Sequence, residues 1–154
     1  MTRASYHEPV LVHEVTQGLH IDNQARIIDA TVGTGGHSLE FLKMRAKVLG
    51  IDADEEMLEV AQERLKDACP APNPQVGCPF KLVHGNFREI DEIAKKEGFA
   101  AVNAILFDLG TTSLQLMDSQ RGFSFSRPEA PLDVRINPSL QGLKGADLLN
   151  ALRE

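Results

Sequence analysis

The segment Asp29-Ala30-Thr31-Val32-Gly33-Thr34-Gly35-Gly36-His37-Ser38 holds the densest set of residues that could do chemistry. Its glycines let a backbone turn tightly and come close to a ligand, and the first N–H groups of a following helix would face that ligand. A dinucleotide fingerprint reads G-x-G-x-x-G, but here the third glycine's place is Ser38. Asp29, four residues before the first glycine, suits a ligand with a cationic part better than a pyrophosphate. A turn of this composition can also serve chain reversal alone.

Asp52 ends the next apolar run, where nucleoside-binding α/β sheets place an acid that accepts hydrogen bonds from both ribose hydroxyls. It could equally cap a helix, and its position after a glycine loop favours the ribose. Asp54 and Glu55 read as acids of a helix N-terminus. His84-Gly85-Asn86-Phe87 ends a third run, where Phe87 could stack on a base or join a core. Asp108-Leu109-Gly110-Thr111-Thr112-Ser113 ends a fourth. Strand ends of this kind converge on the carboxyl edge of a parallel sheet, where such sheets bind ligands.

Other chemistries lack their residues. His7, His13 and His20 follow no zinc spacing, and no lysine of a phosphate-binding loop follows the glycines. Ser113 has no G-x-S-x-G context. Cys69 and Cys78 are too far apart for a C-x-x-C site and read as two ordinary thiols of a reducing cytosol.

These groups need elements to position them. Strands are expected over residues 26–30, 47–52, 80–84 and 101–108, the last being the most apolar. Helices are expected over 10–19, 38–44, 54–65 and 87–96, with Gly98 as a stop signal, and over 146–153. Pro70, Pro72, Pro74 and Pro79 mark a long loop, and residues 111–145 show no clean period. The alternation implies an α/β, doubly wound, Rossmann-like sheet with four strands, about half of a full one. Length and composition agree: 154 residues, 42% apolar and 25% charged, describe an ordinary globular chain. No apolar run approaches the roughly 20 residues of a membrane span. A net charge of −6 argues against a free-standing grip on nucleic acid, although not against a nucleic-acid substrate held by groups supplied elsewhere.

The chain resembles the S-adenosylmethionine-dependent ribosomal RNA small-subunit methyltransferase H family. The matching segments are residues 7–15, Asp29 to Ser38, Gly50 to Asp54, Gly85-Asn86-Phe87, Phe107 to Leu116, Arg121-Gly122-Phe123-Ser124-Phe125 and Pro131-Leu132-Asp133-Val134-Arg135. The glycine loop is common to many methyltransferases, whereas the combination with the last three segments is far more particular. The resemblance implies a class I S-adenosylmethionine-dependent methyltransferase sheet, truncated after the fourth strand. It implies methylation of N4 of a cytosine in 16S rRNA of the small ribosomal subunit, in the cytoplasm, without a metal. It assigns Gly35, Gly36 and His37 to the cofactor, Asp52 to its ribose, Phe87 to its adenine, and Asp108 and Gln115 to its pocket. Residues 1–118 would be the first part of the methyltransferase domain, and 119–154 the start of an inserted helical substrate domain. Thr111-Thr112-Ser113 replaces the family's usual Val-Ser-Ser, and Val134 and Ile136 stand where methionines are common.

An exocyclic amine attacks poorly because its lone pair is delocalised, so catalysis would consist mainly of positioning, with Asp108 nominated to accept an amine hydrogen. Asp133 and Arg135 would serve the RNA side or form a loop ion pair. Competing readings are an inactive fragment that at most binds cofactor and a small-molecule methyltransferase. A nicotinamide dehydrogenase ranks last, because of Ser38 and Asp29.

Overall fold

The computed structural model of the protein describes residues 9–68, 77–118, 120–139 and 141–152. The chain divides into two compact units, Met1–Leu109 and Gly110–Glu154.

The first unit holds four parallel strands: β1 (Arg26–Asp29), β2 (Lys47–Asp52), β3 (Phe80–His84) and β4 (Ala104–Leu106). Their order across the sheet is β3-β2-β1-β4, the expected Rossmann-like α/β arrangement. The chain steps outward from β1 to β3, then returns to the other side of β1. This reversal creates a switch point beyond the carboxyl ends of β1 and β4, where a crevice for ligands forms in such sheets. Register sets Asp29 opposite Gly50 and Leu106, and Asp52 opposite His84.

Alternation along each strand sends neighbouring side chains to opposite faces. Ile27 and Val48 join Phe41, Leu65 and Phe80 in one core cluster, while Ile28, Leu49 and Ile51 join Ala94 and Phe99 in another. Both faces are therefore covered, as a parallel sheet requires. Gly50 sits inside β2 because a Cβ there would lie 2.7 Å from the Leu82 side chain.

Helices α1 (Val12–Gly18), α2 (Gly36–Lys43), α3 (Glu55–Leu65) and α4 (Ile90–Glu97) fall within a few residues of their expected places. Asp54, not Asp52, caps α3, its side chain accepting from the Glu56 N–H. The stretch from Phe87 begins as a short 3₁₀ turn before α4, which closes on Gly98 at φ 79°.

Three departures stand out. The strand expected to be the longest is the shortest: residues 101–103 leave the ladder, and Asn103 instead ties Arg26 through both its backbone N–H and its side-chain oxygen. Cys78 is disulfide-bonded, which corrects the reading of two ordinary thiols; Cys69 lies outside the described residues. The C-x-x-C spacing test addressed metal and redox motifs, whereas a disulfide needs only two Cα atoms brought within about 4.4–6.8 Å. Pro70, Pro72 and Pro74 also lie outside the described residues. Finally, a helix α5 (Ser113–Met117) forms where no period was visible, because five residues are too few to display one. Its start was signalled by the Thr112 and Gln115 capping box.

The second unit contains α5 and α6 (Gly145–Ala151), joined by irregular chain that folds back on itself. The Val134 N–H donates to the Arg121 carbonyl at 2.8 Å, and the Gly145 and Ala146 N–H groups donate to Asp133 and Leu132. Gly122, at φ 69°, lies so close to the Pro131 carbonyl that a Cβ would fall 2.0 Å from its oxygen. Segments 121–125 and 131–135, two of the three that make the resemblance particular, are thus clasped against each other. Asp133 and Arg135 form a two-pronged ion pair at 2.6 and 2.8 Å, which holds the Asp133 carboxyl below its ordinary range.

Candidate functional site

β1 and β2 end on Asp29 and Asp52, and the glycine turn runs between the end of β1 and α2. The turn and the second-strand acid meet directly. The Gly33 N–H donates to Asp52 Oδ2 at 2.7 Å, while the Asp54 N–H donates to Oδ1 at 2.9 Å. Burial raises the Asp52 carboxyl above its ordinary value, and these two N–H groups, with that of Ala53, pull it back only in part.

Asp29 is fully buried. Its Oδ2 accepts from the Ser38 hydroxyl at 2.7 Å, and its Oδ1 has no hydrogen-bond partner. Burial pushes the carboxyl up to about 6, against the Ser38 bond and the nearby His37, with Asp52 adding to the rise. Ser38, the residue that breaks the dinucleotide fingerprint, is therefore the bolt that fastens α2 to the end of β1.

Gly35 caps α2 in the left-handed region at φ 78°, with Leu65 and Ala61 behind it. A Cβ on Gly36 would stand 3.0 Å from Pro9, so this glycine lets the chain before α1 close over the turn. His37 is buried; its Nε2 lies 3.0 Å from the Val10 carbonyl, so that nitrogen carries the proton. Its Nδ1 faces Asp108 Oδ2 at 3.7 Å, an ion pair when the ring is protonated. Asp108 follows β4, its N–H donates to the Thr31 hydroxyl at 2.8 Å, and its side chain is 56% exposed.

Phe87 opens the 3₁₀ turn after β3, and its ring meets that of Phe107 edge-on, with centroids 5.6 Å apart. Six of the seven sequence-predicted positions (Gly35, Gly36, His37, Asp52, Phe87 and Asp108) thus gather at the carboxyl ends of the strands. The seventh, Gln115, belongs to the second unit, where it forms the capping box of α5 with Thr112.

The family model described as the MraW methylase family matches residues 4–154. The chain belongs to the MraW methylase family. Its similar relatives include a ribosomal RNA small subunit methyltransferase H of Dictyoglomus turgidum, 40% identical over 96% of this chain and 48% of that protein. Proteins of the same name from Dehalococcoides mccartyi and Beutenbergia cavernae are 40% and 41% identical, over 39% and 42% of their lengths. This MraW methylase chain spans about half the length, or less, of the curated relatives it matches.

Among solved structures, an rRNA methylase from Streptococcus thermophilus aligns at a TM-score of 0.51 with 22% identity, over 70% of this chain and 58% of that one. A Streptococcus mutans protein solved in complex with SAH aligns at 0.50 with 17% identity, over 79% and 67%. Both share the fold of the MraW methylase sheet.

Sequence reasoning missed three contributors to the rim of this MraW methylase: the Val10 carbonyl, the Thr31 hydroxyl and the Phe107 ring. A backbone carbonyl leaves no sequence signal. Thr31, two residues past the strand, and Phe107, adjacent to Asp108, were legible as neighbours of the named acids. No helix among the described residues is long and apolar enough to cross a membrane.

Proposed function

We propose that the chain is the cofactor-binding half of an S-adenosylmethionine-dependent methyltransferase that acts on N4 of a cytosine in 16S rRNA of the small ribosomal subunit. The observation that carries this reading is the contact of the glycine turn with the second-strand acid, Gly33 to Asp52 at 2.7 Å. A carboxylate offers about four lone-pair sites, and the backbone N–H groups of Gly33, Asp54 and Ala53 use part of them. Asp52 therefore keeps acceptor capacity for a ribose hydroxyl. Asp29, ionised above about pH 6 and unpartnered at Oδ1, sets a negative field behind the turn that suits a cationic ligand. S-adenosylmethionine, when bound, supplies an electrophilic methyl group.

The chain's own work is orientation. His37, locked by the Val10 carbonyl, turns Nδ1 toward Asp108, which it attracts when the ring carries both protons, while the Asp108 N–H bond to Thr31 keeps that residue near the glycine turn. Asp108, more than half exposed, is free to accept a hydrogen from the cytosine amine and so localise its lone pair. Gly35, Gly36 and His37 shape the turn for the cofactor, and Phe87 offers a ring to the adenine. The rRNA substrate goes with a cytoplasmic location, and no metal enters the reaction.

Calorimetric titration with S-adenosylmethionine tests the reading. Asp52→Ala is expected to weaken binding about ten- to a hundredfold, the worth of charge-assisted bonds to a ribose at roughly 1.5–3 kcal/mol. An unchanged dissociation constant would remove Asp52 from the site. A second reading is a chain that binds the cofactor without catalysing transfer. Methyl transfer by this chain to 30S subunits, set against transfer to small amines, separates these readings and the small-molecule methyltransferase.

A further inference from the structure

Phe87 and Phe107 stand at the ends of β3 and β4, the two outer strands of the sheet, yet their rings meet. The segments after β3 and β4 therefore converge over the carboxyl ends of β2 and β1, which lie between them and carry Asp52 and Asp29. The interplanar angle is 87° and the centroid separation 5.6 Å, which is the favoured edge-to-face geometry. Neither ring is sunk in the core: Phe87 is 40% and Phe107 47% exposed. Two large apolar side chains kept at the surface against each other, beside a ribose-type acid, form a platform for a flat apolar group.

The backbone explains why the pair is well placed. Asn86 caps the 3₁₀ turn by accepting from the Arg88 N–H, which fixes the residue that carries the Phe87 ring. Asp108, next to Phe107, is tied by its N–H to Thr31 in the glycine turn. Each ring is thus anchored by a hydrogen bond one residue away, and the edge of one fixes the tilt of the other.

We infer that Phe107 is a positioning residue for the nucleobase: it sets the tilt of the Phe87 ring, and the Phe87 ring is the surface on which the adenine rests. This rests on the cofactor reading proposed above. Without its partner, Phe87 would sample several tilts, and each base-stacked geometry would carry an ordering cost.

The test compares two ligands on this chain by calorimetry: S-adenosylhomocysteine and S-ribosylhomocysteine, which has the same amino acid and ribose but no base. Phe107→Leu is expected to weaken binding of S-adenosylhomocysteine about three- to tenfold, the worth of one aromatic pair. Binding of S-ribosylhomocysteine should be unchanged, and Phe107→Tyr should restore the wild-type value. In Phe87→Leu the Phe107 substitution should have no further effect. A general loosening of the fold would weaken both ligands equally and would overturn the inference, as would an unchanged affinity of Phe107→Leu for S-adenosylhomocysteine. Wild-type binding without a Phe107 effect leaves the cofactor reading standing and removes only this inference. Failure of the wild-type chain to bind either ligand removes both.

Discussion

Asp29→Asn is expected to make the protein more stable at pH 7, by up to about 3 kcal/mol, while leaving it nearly unchanged at pH 4. The sign follows from where the proton sits. The folded carboxyl keeps its proton to about pH 6, because burial penalises its charge, whereas an unfolded one releases it near the ordinary value of 3.8. Between those values the folded state binds more protons than the unfolded state, so raising the pH costs stability, and the full cost stands above about 6. An asparagine has no charge to bury and can still accept from the Ser38 hydroxyl that now bonds Asp29. Urea unfolding of both proteins at pH 4, 5, 6 and 7 measures the difference directly. Curves that stay parallel across that range would show that Asp29 titrates normally. A group that costs this much is retained for another reason, and a negative field behind the glycine turn supplies one.

Phe41→Ala is the second large effect, expected to cost about 3–5 kcal/mol and to lower the melting temperature by on the order of 10 °C. Phe41 is completely buried in α2, packed in the cluster of Ile27, Leu42, Val48 and Leu65. Removing the ring deletes its burial and leaves a cavity against the sheet face that β1 and β2 present. The same helix carries His37 and Ser38, so the loss should also loosen the glycine turn. Phe125→Ala serves as the control, since Phe125 is fully exposed and should change stability by no more than about 0.5 kcal/mol. Thermal unfolding of the two variants side by side decides the matter; equal shifts would place Phe41 outside the core.

Much of this arrangement was legible because its signals are local. The apolar runs at β1, β2 and β3 are bounded by polar residues at the positions where the strands end, and Gly98 stops α4 as glycines do. The acids at Asp29, Asp52 and Asp108 could be placed on one rim because parallel strands all end on the same side. What escaped was set by partners distant in sequence. β4 is short because Asn103 bonds Arg26, 77 residues away, rather than continuing the ladder. Ser38 read as a missing glycine, while its purpose is the Asp29 carboxylate nine residues earlier. The pairing of Phe87 with Phe107 depends on a crossing of the sheet ends that no spacing encodes.

The strand order has a mechanical consequence for the rim. Asp52 hangs from β2, which is laced to β1 on one side and β3 on the other. Asp108 follows β4, which among the described residues is laced to β1 alone and over three residues. Among the described residues Asp52 is thus braced from both sides and Asp108 from one. Within the proposed cofactor reading, Asp52 is the better braced of the two acids, and Asp108 relies on β1 and on its N–H bond to Thr31 for its place.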